Sequence, residues 1–370
     1  MLKRFEVRNF KGFRDNLVFD LTARDYAFNK KIVKNNLVNK AIIYGKNGIG
    51  KSSLGIALFD IISHLTDKEK IPAPYLKNYR NLDTNAAGVN FKYVFTFEND
   101  EIVYEYLKIN PDYLIAEKLT INDVVVVDYC YFPEIVDKKY INRDIVGNLN
   151  VDLKDNKLSV VKYIYRNTPT DAIPGITKMM YFCENMLWYR CLTDGNTYAG
   201  FTNGASSLSE MLYENGEIEK FEEFLRENGL DYSLEFEEDD GKHILMAVFG
   251  EDKRVPFTAV ASTGTNALYL LYAWSVSAFK NISLLFIDEF DAFFHYESAE
   301  SVVKQLNEYT NFQTILTTHN TYLMQNRLTR PDCCYLMSKN KISNLYDATD
   351  KEIREAHNLE KMYINGAFAE

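Results

Sequence analysis

Residues 41–58 read AIIYGKNGIGKSSLGIAL, and the fold turns on how they are understood. Gly45, Gly50, Lys51 and Ser52 fill every fixed position of G-x-x-x-x-G-K-[ST], a pattern that carries meaning only between a strand and a helix. Ala41 to Tyr44 read as a short buried strand, and Leu54, Leu58, Ile61, Ile62 and Leu65 recur at helical spacing, predicting a helix over 52–65. Glycines between the two let consecutive N–H groups turn inward around an anion, and the helix N-terminus adds its dipole at the same point. Gly45, Asn47, Gly48, Gly50, Lys51, Ser52 and Ser53 are therefore the candidate residues for binding a nucleoside triphosphate. In that pattern the lysine reaches the β- and γ-phosphates and the serine hydroxyl ligates Mg²⁺.

A second half of such a site follows far downstream. Leu284 to Ile287 form an apolar run that leads straight into Asp288 and Glu289, which places both carboxylates at the C-terminal end of a buried strand. In open α/β sheets ligands bind at that edge. Asp288 suits a Mg²⁺ held through water, and Glu289 a base that polarises the attacking water. Lys51 and Asp288 stand 237 residues apart, more than one βαβ unit needs. The run TILTTHN brings His319 to another strand edge, in reach of a γ-phosphate or the lytic water, whereas His64, His243 and His357 read as structural. ASTGTNAL, residues 261–268, is a small-residue turn opening a helix, with Ser262, Thr263 or Thr265 as its cap. Its other reading is a second anion-binding helix end, for which one protomer has no use and a second protomer has.

Composition limits the alternatives. With 370 residues and 46% hydrophobic content the chain can bury a large core, as one large domain or two ordinary ones. A net charge of −10 disfavours a protein that coats itself in nucleic acid. Five cysteines without a C-x-x-C pair fit reduced thiols better than disulfides or zinc. No segment is apolar enough to span a bilayer and MLKRFEVRNF lacks a signal h-region, so a cytosolic protein is expected. Alternation over the first forty residues and from Val89 to Tyr131 predicts antiparallel strands, the latter a meander. Stretches such as ITKMMYFCENMLWYRCL predict a mostly helical insert. The expected division is a first lobe over 1–150, the insert over 151–232 and a second lobe over 233–370.

The order of these motifs resembles that of ABC-type ATPase heads, and within them the RecF, structural-maintenance-of-chromosomes (SMC) and overcoming-lysogenization-defect (OLD) ATPases. KRFEVRNFKGFRD is similar to their first strand and turn, IDEFDAFFHYE to their acidic strand followed by a Phe/Leu-His pair, here Phe294-His295, and LEKMYINGAFAE to the tail of small OLD-like ATPases of bacterial defence loci. The resemblance covers roughly 1–130 and 240–370. It implies an α/β P-loop NTPase fold with an antiparallel lobe, ATP and Mg²⁺ as ligands, and a homodimer or higher oligomer closed through a nucleotide sandwich. Ser262 and Gly264 would then meet the γ-phosphate bound to the opposite protomer, and Asp291 would signal between the two sites. Two departures stand out: the signature is STG rather than SGG, and the inter-lobe glutamine common in such heads has no evident counterpart among Gln305, Gln313 and Gln325. The 51 residues after His319 are too few for the Toprim domain of OLD nucleases, so a separate effector, a nuclease or toxin, is expected. The functional setting implied is a nucleotide-gated sensor in anti-phage defence, akin to the ATPases of PARIS or Septu; the rival is a repair or chromosome-maintenance ATPase that clamps DNA, and a third reading is a scaffold with negligible turnover. Met179, Met180, Tyr181, Phe182, Met186, Trp188 and Tyr189 carry two readings: at helical spacing such residues form the insert's own core, and as residue types enriched at interfaces they make the insert between Leu153 and Leu230 the candidate docking surface for the effector.

Overall fold

The computed structural model describes residues 1–132, 134, 138–153, 155–190, 198–201, 207–250, 253–292 and 294–368. Two seven-stranded sheets organise the chain. The central one runs in the order Tyr198–Gly200, Met186–Arg190, Leu284–Asp288, Gln313–Thr318, Lys40–Tyr44, Cys334–Ser338 and Lys341–Asn344. Its five inner strands are parallel and only the two edge strands run antiparallel. A parallel sheet needs cover on both faces, and the inner strands show it residue by residue. Ala41, Ile43, Leu284, Phe286, Met186 and Trp188 face one core, while Ile42, Tyr44, Leu285, Ile287, Leu187 and Tyr189 face the other.

The second sheet is antiparallel throughout, in the order Lys139–Ile141, Val124–Cys130, Tyr113–Ile121, Asp100–Asn110, Val89–Phe97, Leu2–Arg8 and Leu17–Asp20. Its meander is the one expected from the alternation. This lobe shares the first core with helices Lys51–Leu58, Val160–Asn167 and Pro174–Glu184. Gln313 ties it to the central sheet, accepting from the Leu2 amide at 2.6 Å and donating to the Leu2 carbonyl at 2.9 Å. Helices Leu208–Glu214, Ile218–Glu227, Thr263–Ser277 and Tyr296–Glu308 cover the opposite face of the central sheet, joined by a three-stranded sheet over 233–256. The fold is α/β, a mostly parallel central sheet covered on both faces, with an antiparallel lobe packed against one of them.

The structure differs from the sequence expectation in two elements. The helix read over 52–65 stops at Leu58 and restarts as Ile62–Leu65. The Tyr93 hydroxyl sits 3.1 Å from both the Ala57 and Leu58 carbonyls, satisfying acceptors that a continuous helix would have used itself. Gly55 lets the first helix lie hard on the sheet, since a Cβ there would come within 2.5 Å of the Phe286 ring. More consequential is ITKMMYFCENMLWYRCL, which splits at Asn185 into a helix and the strand Met186–Arg190 of the central sheet. Met179, Met180, Phe182, Met186, Trp188 and Tyr189 are all buried, and only Tyr181 is exposed. They form the molecule's own core, which decides between their two readings against a docking surface. Cys191, the last expected member of that run but one, lies outside the described residues; the other four cysteines are free and buried.

Candidate functional site

Because the inner strands are parallel, their C-terminal ends open at one edge, and register puts the candidate residues side by side there. Tyr44 pairs with Thr318, so the glycine loop that follows the first stands beside His319. The strand ending in Asp288 lies on the other side of Gln313–Thr318. Gly48 and Gly50 take φ of +74° and +111°, conformations that glycine adopts without strain. A side chain at Gly50 would also strike the Phe13 ring at 2.9 Å, so the first lobe packs directly on the loop. Asn47 and Gly48 are exposed, whereas Ser52 and Ser53 are half-buried at the start of the helix.

The Lys51 ammonium folds back over this loop. It donates to the Gly45 carbonyl at 2.8 Å and the Lys46 carbonyl at 3.3 Å, and lies 2.8 Å from His319 Nε2. Burial lowers the Lys51 pKa, opposed by Glu289, Asp288 and Asp291. Burial, then Lys51 itself, lowers that of His319. A neutral imidazole with Nε2 unprotonated accepts a hydrogen bond from the Lys51 ammonium. Asp288 is fully buried: burial pushes its pKa up, while the Ser52 and Thr317 hydroxyls pull it back, Thr317 donating to Oδ1 at 2.8 Å. Its other oxygen, Oδ2, has no hydrogen-bond partner. Glu289 follows in a left-handed conformation, φ +50°, with its amide donating to Thr317 Oγ1 at 2.7 Å. A glutamate held there is strained, and such strain concentrates at functional sites. Asp291 accepts from Thr318 at 2.6 Å.

Sequence reasoning missed one member. Arg190 ends the strand beside Asp288, pairs with it in register, and faces both carboxylates. No motif marks it, because the pairing of those strands is not visible in sequence. The glutamines are elsewhere: Gln313 bonds the first strand, Gln305 lines a surface groove and Gln325 donates to the Tyr322 carbonyl. Ser262 caps its own helix, accepting from the Thr265 amide at 3.1 Å, and Thr263 is an ordinary first helical residue outside the left-handed set, so STG requires no second glycine. Nothing among the described hydrogen bonds brings Ser262 or Gly264 to Lys51 within the chain.

The donor set fits a nucleotide-borne divalent ion. The Asp288 carboxylate keeps one buried oxygen without a partner beside the Ser52 hydroxyl, and among the described residues no cluster of three or more His, Cys, Asp or Glu builds a metal cage without phosphates.

A family profile described as "AAA domain, putative AbiEii toxin, Type IV TA system" matches residues 193–325, a span that holds Ser262, Asp288, Glu289 and His319 but not the glycine loop. No curated protein matches the sequence. Among solved structures, the SMC head domain from Thermotoga maritima is 15% identical with a TM-score of 0.43, over 93% of this chain and 98% of that one. An SmcHead bound to the C-winged helix domain of ScpA is 16% identical with a TM-score of 0.46, over 94% and 98%. The Smc head with an extended coiled coil bound to the C-terminal domain of ScpA, from Pyrococcus furiosus, is 14% identical with a TM-score of 0.47, over 94% and 97%. No helix among the described residues is long and apolar enough to cross a membrane.

Proposed function

We propose that this chain is a Mg²⁺-dependent ATPase of the ABC head type that closes as a head-to-tail nucleotide sandwich and uses that closure to gate a separate effector in anti-phage defence. One observation carries the proposal: Lys51, Ser52, Asp288, Glu289 and His319 come from separate stretches of the chain and meet on one edge of a parallel sheet. The loop amides from Gly45 to Ser53 cradle the phosphates. Lys51 exchanges the Gly45 and Lys46 carbonyls for the β- and γ-phosphate oxygens, a charge-assisted bond in place of neutral ones. Ser52 and Asp288 would hold a Mg²⁺ ion, which would supply neutralisation of the charge developing on the transferred phosphate. Glu289 orients and polarises the attacking water, and His319, neutral beside Lys51, holds the γ-phosphate end in place. Ser262 and Gly264 serve the partner protomer's nucleotide. The toxin–antitoxin description of the matched family supports an effector partner, and the charge of −10 supports it over a DNA clamp.

Replacing single residues separates binding from chemistry. Lys51→Ala is expected to lose binding of a fluorescent ATP analogue. Glu289→Gln is expected to keep it while turnover drops by about 10²–10⁴, the worth of a positioned base. Hydrolysis by Glu289→Gln at the parent rate would remove Glu289 from the mechanism. Hydrolysis stimulated by duplex DNA in a salt-dependent way, with no protein co-purifying from the native operon, would favour the clamp over the effector.

A further inference from the structure

We infer that Arg190 is a resident cation that guards the Asp288 and Glu289 carboxylates and competes with the divalent ion for them. This rests on the ATPase reading above and adds a control to it.

The geometry is that of a charge placed close but not locked. Arg190 Nε lies 3.5 Å from Asp288 Oδ2, and Nη2 lies 3.6 Å from Glu289 Oε2. Both distances exceed a good hydrogen bond, and Arg190 Nε and Asp288 Oδ2 are both buried without a hydrogen-bond partner. A buried carboxylate oxygen and the buried Nε of a partly exposed guanidinium, facing each other at this separation, attract yet leave each other's lone pair and proton unused. Such a pair holds the carboxylates without saturating them, and a better cation can displace it.

The side chain is built to stand there. Parallel pairing of Met186–Arg190 with Leu284–Asp288 sets Arg190 opposite Asp288, so its position is fixed by backbone rather than by a loop. The guanidinium lies 5.8 Å from the Tyr75 ring centroid, and Tyr75 packs edge-on against Trp188, two residues earlier on the same face of the strand. This aromatic shelf supports the planar cation on one side while the carboxylates hold it on the other. Lys51 is the second cation near the same acids, its charge felt by Glu289, Asp288 and Asp291. A divalent ion entering this site meets two fixed positive charges, of which Lys51 has phosphates to move to. Arg190 must give up Asp288 first. Until it does, its grip on Glu289 also keeps that carboxylate from acting as a free base.

The test measures the Mg²⁺ requirement of binding, not turnover. Binding of a fluorescent, non-hydrolysable ATP analogue is titrated with Mg²⁺ for the parent, Arg190→Gln and Arg190→Lys. Arg190→Gln removes the charge and is expected to lower the half-saturating Mg²⁺ by about tenfold, a charge-pair effect discounted for the partial exposure of Arg190. Arg190→Lys, which keeps the charge, is expected to stay close to the parent. An unchanged or higher Mg²⁺ requirement in Arg190→Gln, with analogue still bound, would overturn this inference and leave the ATPase reading standing. Failure of the parent to bind the analogue at any Mg²⁺ concentration would overturn both.

Discussion

Burial decides which protonation states the individual residues can hold, and His64 shows the consequence most directly. Burial, reinforced by Lys108, Lys162 and Lys70, keeps its pKa well below the usual value, and its Nε2 lies 2.9 Å from the Tyr104 hydroxyl. The folded chain therefore carries His64 neutral, whereas the unfolded chain protonates it near pH 6.5. Below that value the unfolded state binds one more proton than the folded state, so stability is full above about pH 6.5 and falls by about 1.4 kcal/mol per pH unit as pH drops beneath it. Glu117, joined to the same Tyr104, is pushed the other way, its pKa raised by burial. Comparison of variants isolates the histidine. His64→Gln keeps a polar partner for Tyr104 and is expected to flatten the urea-denaturation stability slope between pH 6.5 and 5 by about one proton. An identical slope in parent and variant would show that His64 titrates freely in the fold.

Among the elements, the break after Leu58 marks where the lobe and the helix following the glycine loop are joined. Asp60 sits in that break and accepts from Lys108 at 2.7 Å, Tyr106 at 3.0 Å and Tyr79 at 2.7 Å, with the ion pair almost wholly excluded from water. Asp60→Asn leaves the Lys108 ammonium buried without a counter-charge and is expected to destabilise by about 3–5 kcal/mol, while adding Lys108→Met is expected to recover most of it. Denaturant midpoints of the single and double variants check both expectations. Neither this pair nor the helix break was readable beforehand, because each depends on which strand of the meander lies over residues 57–60. The strand Met186–Arg190 was misread for a related reason: a short apolar run buried on both faces has no periodicity to distinguish it from a buried helix. By contrast the glycine loop, the meander and the strands ending in Asp288 and Thr318 were legible, since each couples a local pattern to a turn or motif that fixes its phase. Arg190 was illegible because its role exists only through the register between two strands far apart in sequence.

On the scale of the whole molecule, the arrangement of the two halves of the site sets the final prediction. The glycine loop, Asp288, Glu289 and His319 converge within one chain, yet Ser262 and Gly264 open a different helix, Thr263–Ser277, and no described hydrogen bond joins them to that edge. The Ser262 hydroxyl is engaged with Thr265 at the N-terminus of this fifteen-residue helix, whose dipole favours an anion there. If the helix end serves a phosphate, that phosphate belongs to a second copy, and head-to-tail closure follows because each copy offers both halves. Gly264→Asp places a carboxylate where the partner's γ-phosphate would dock, and two negative groups at close range in a water-poor interface repel by about several kcal/mol. In a Glu289→Gln background, which is expected to hold ATP unhydrolysed, light scattering should show ATP-dependent pairing, and adding Gly264→Asp should abolish it while ATP still binds each copy. Unchanged pairing in the double variant would mean that the helix end at Ser262 lies outside the closed interface, and the sandwich would have to be built from another face.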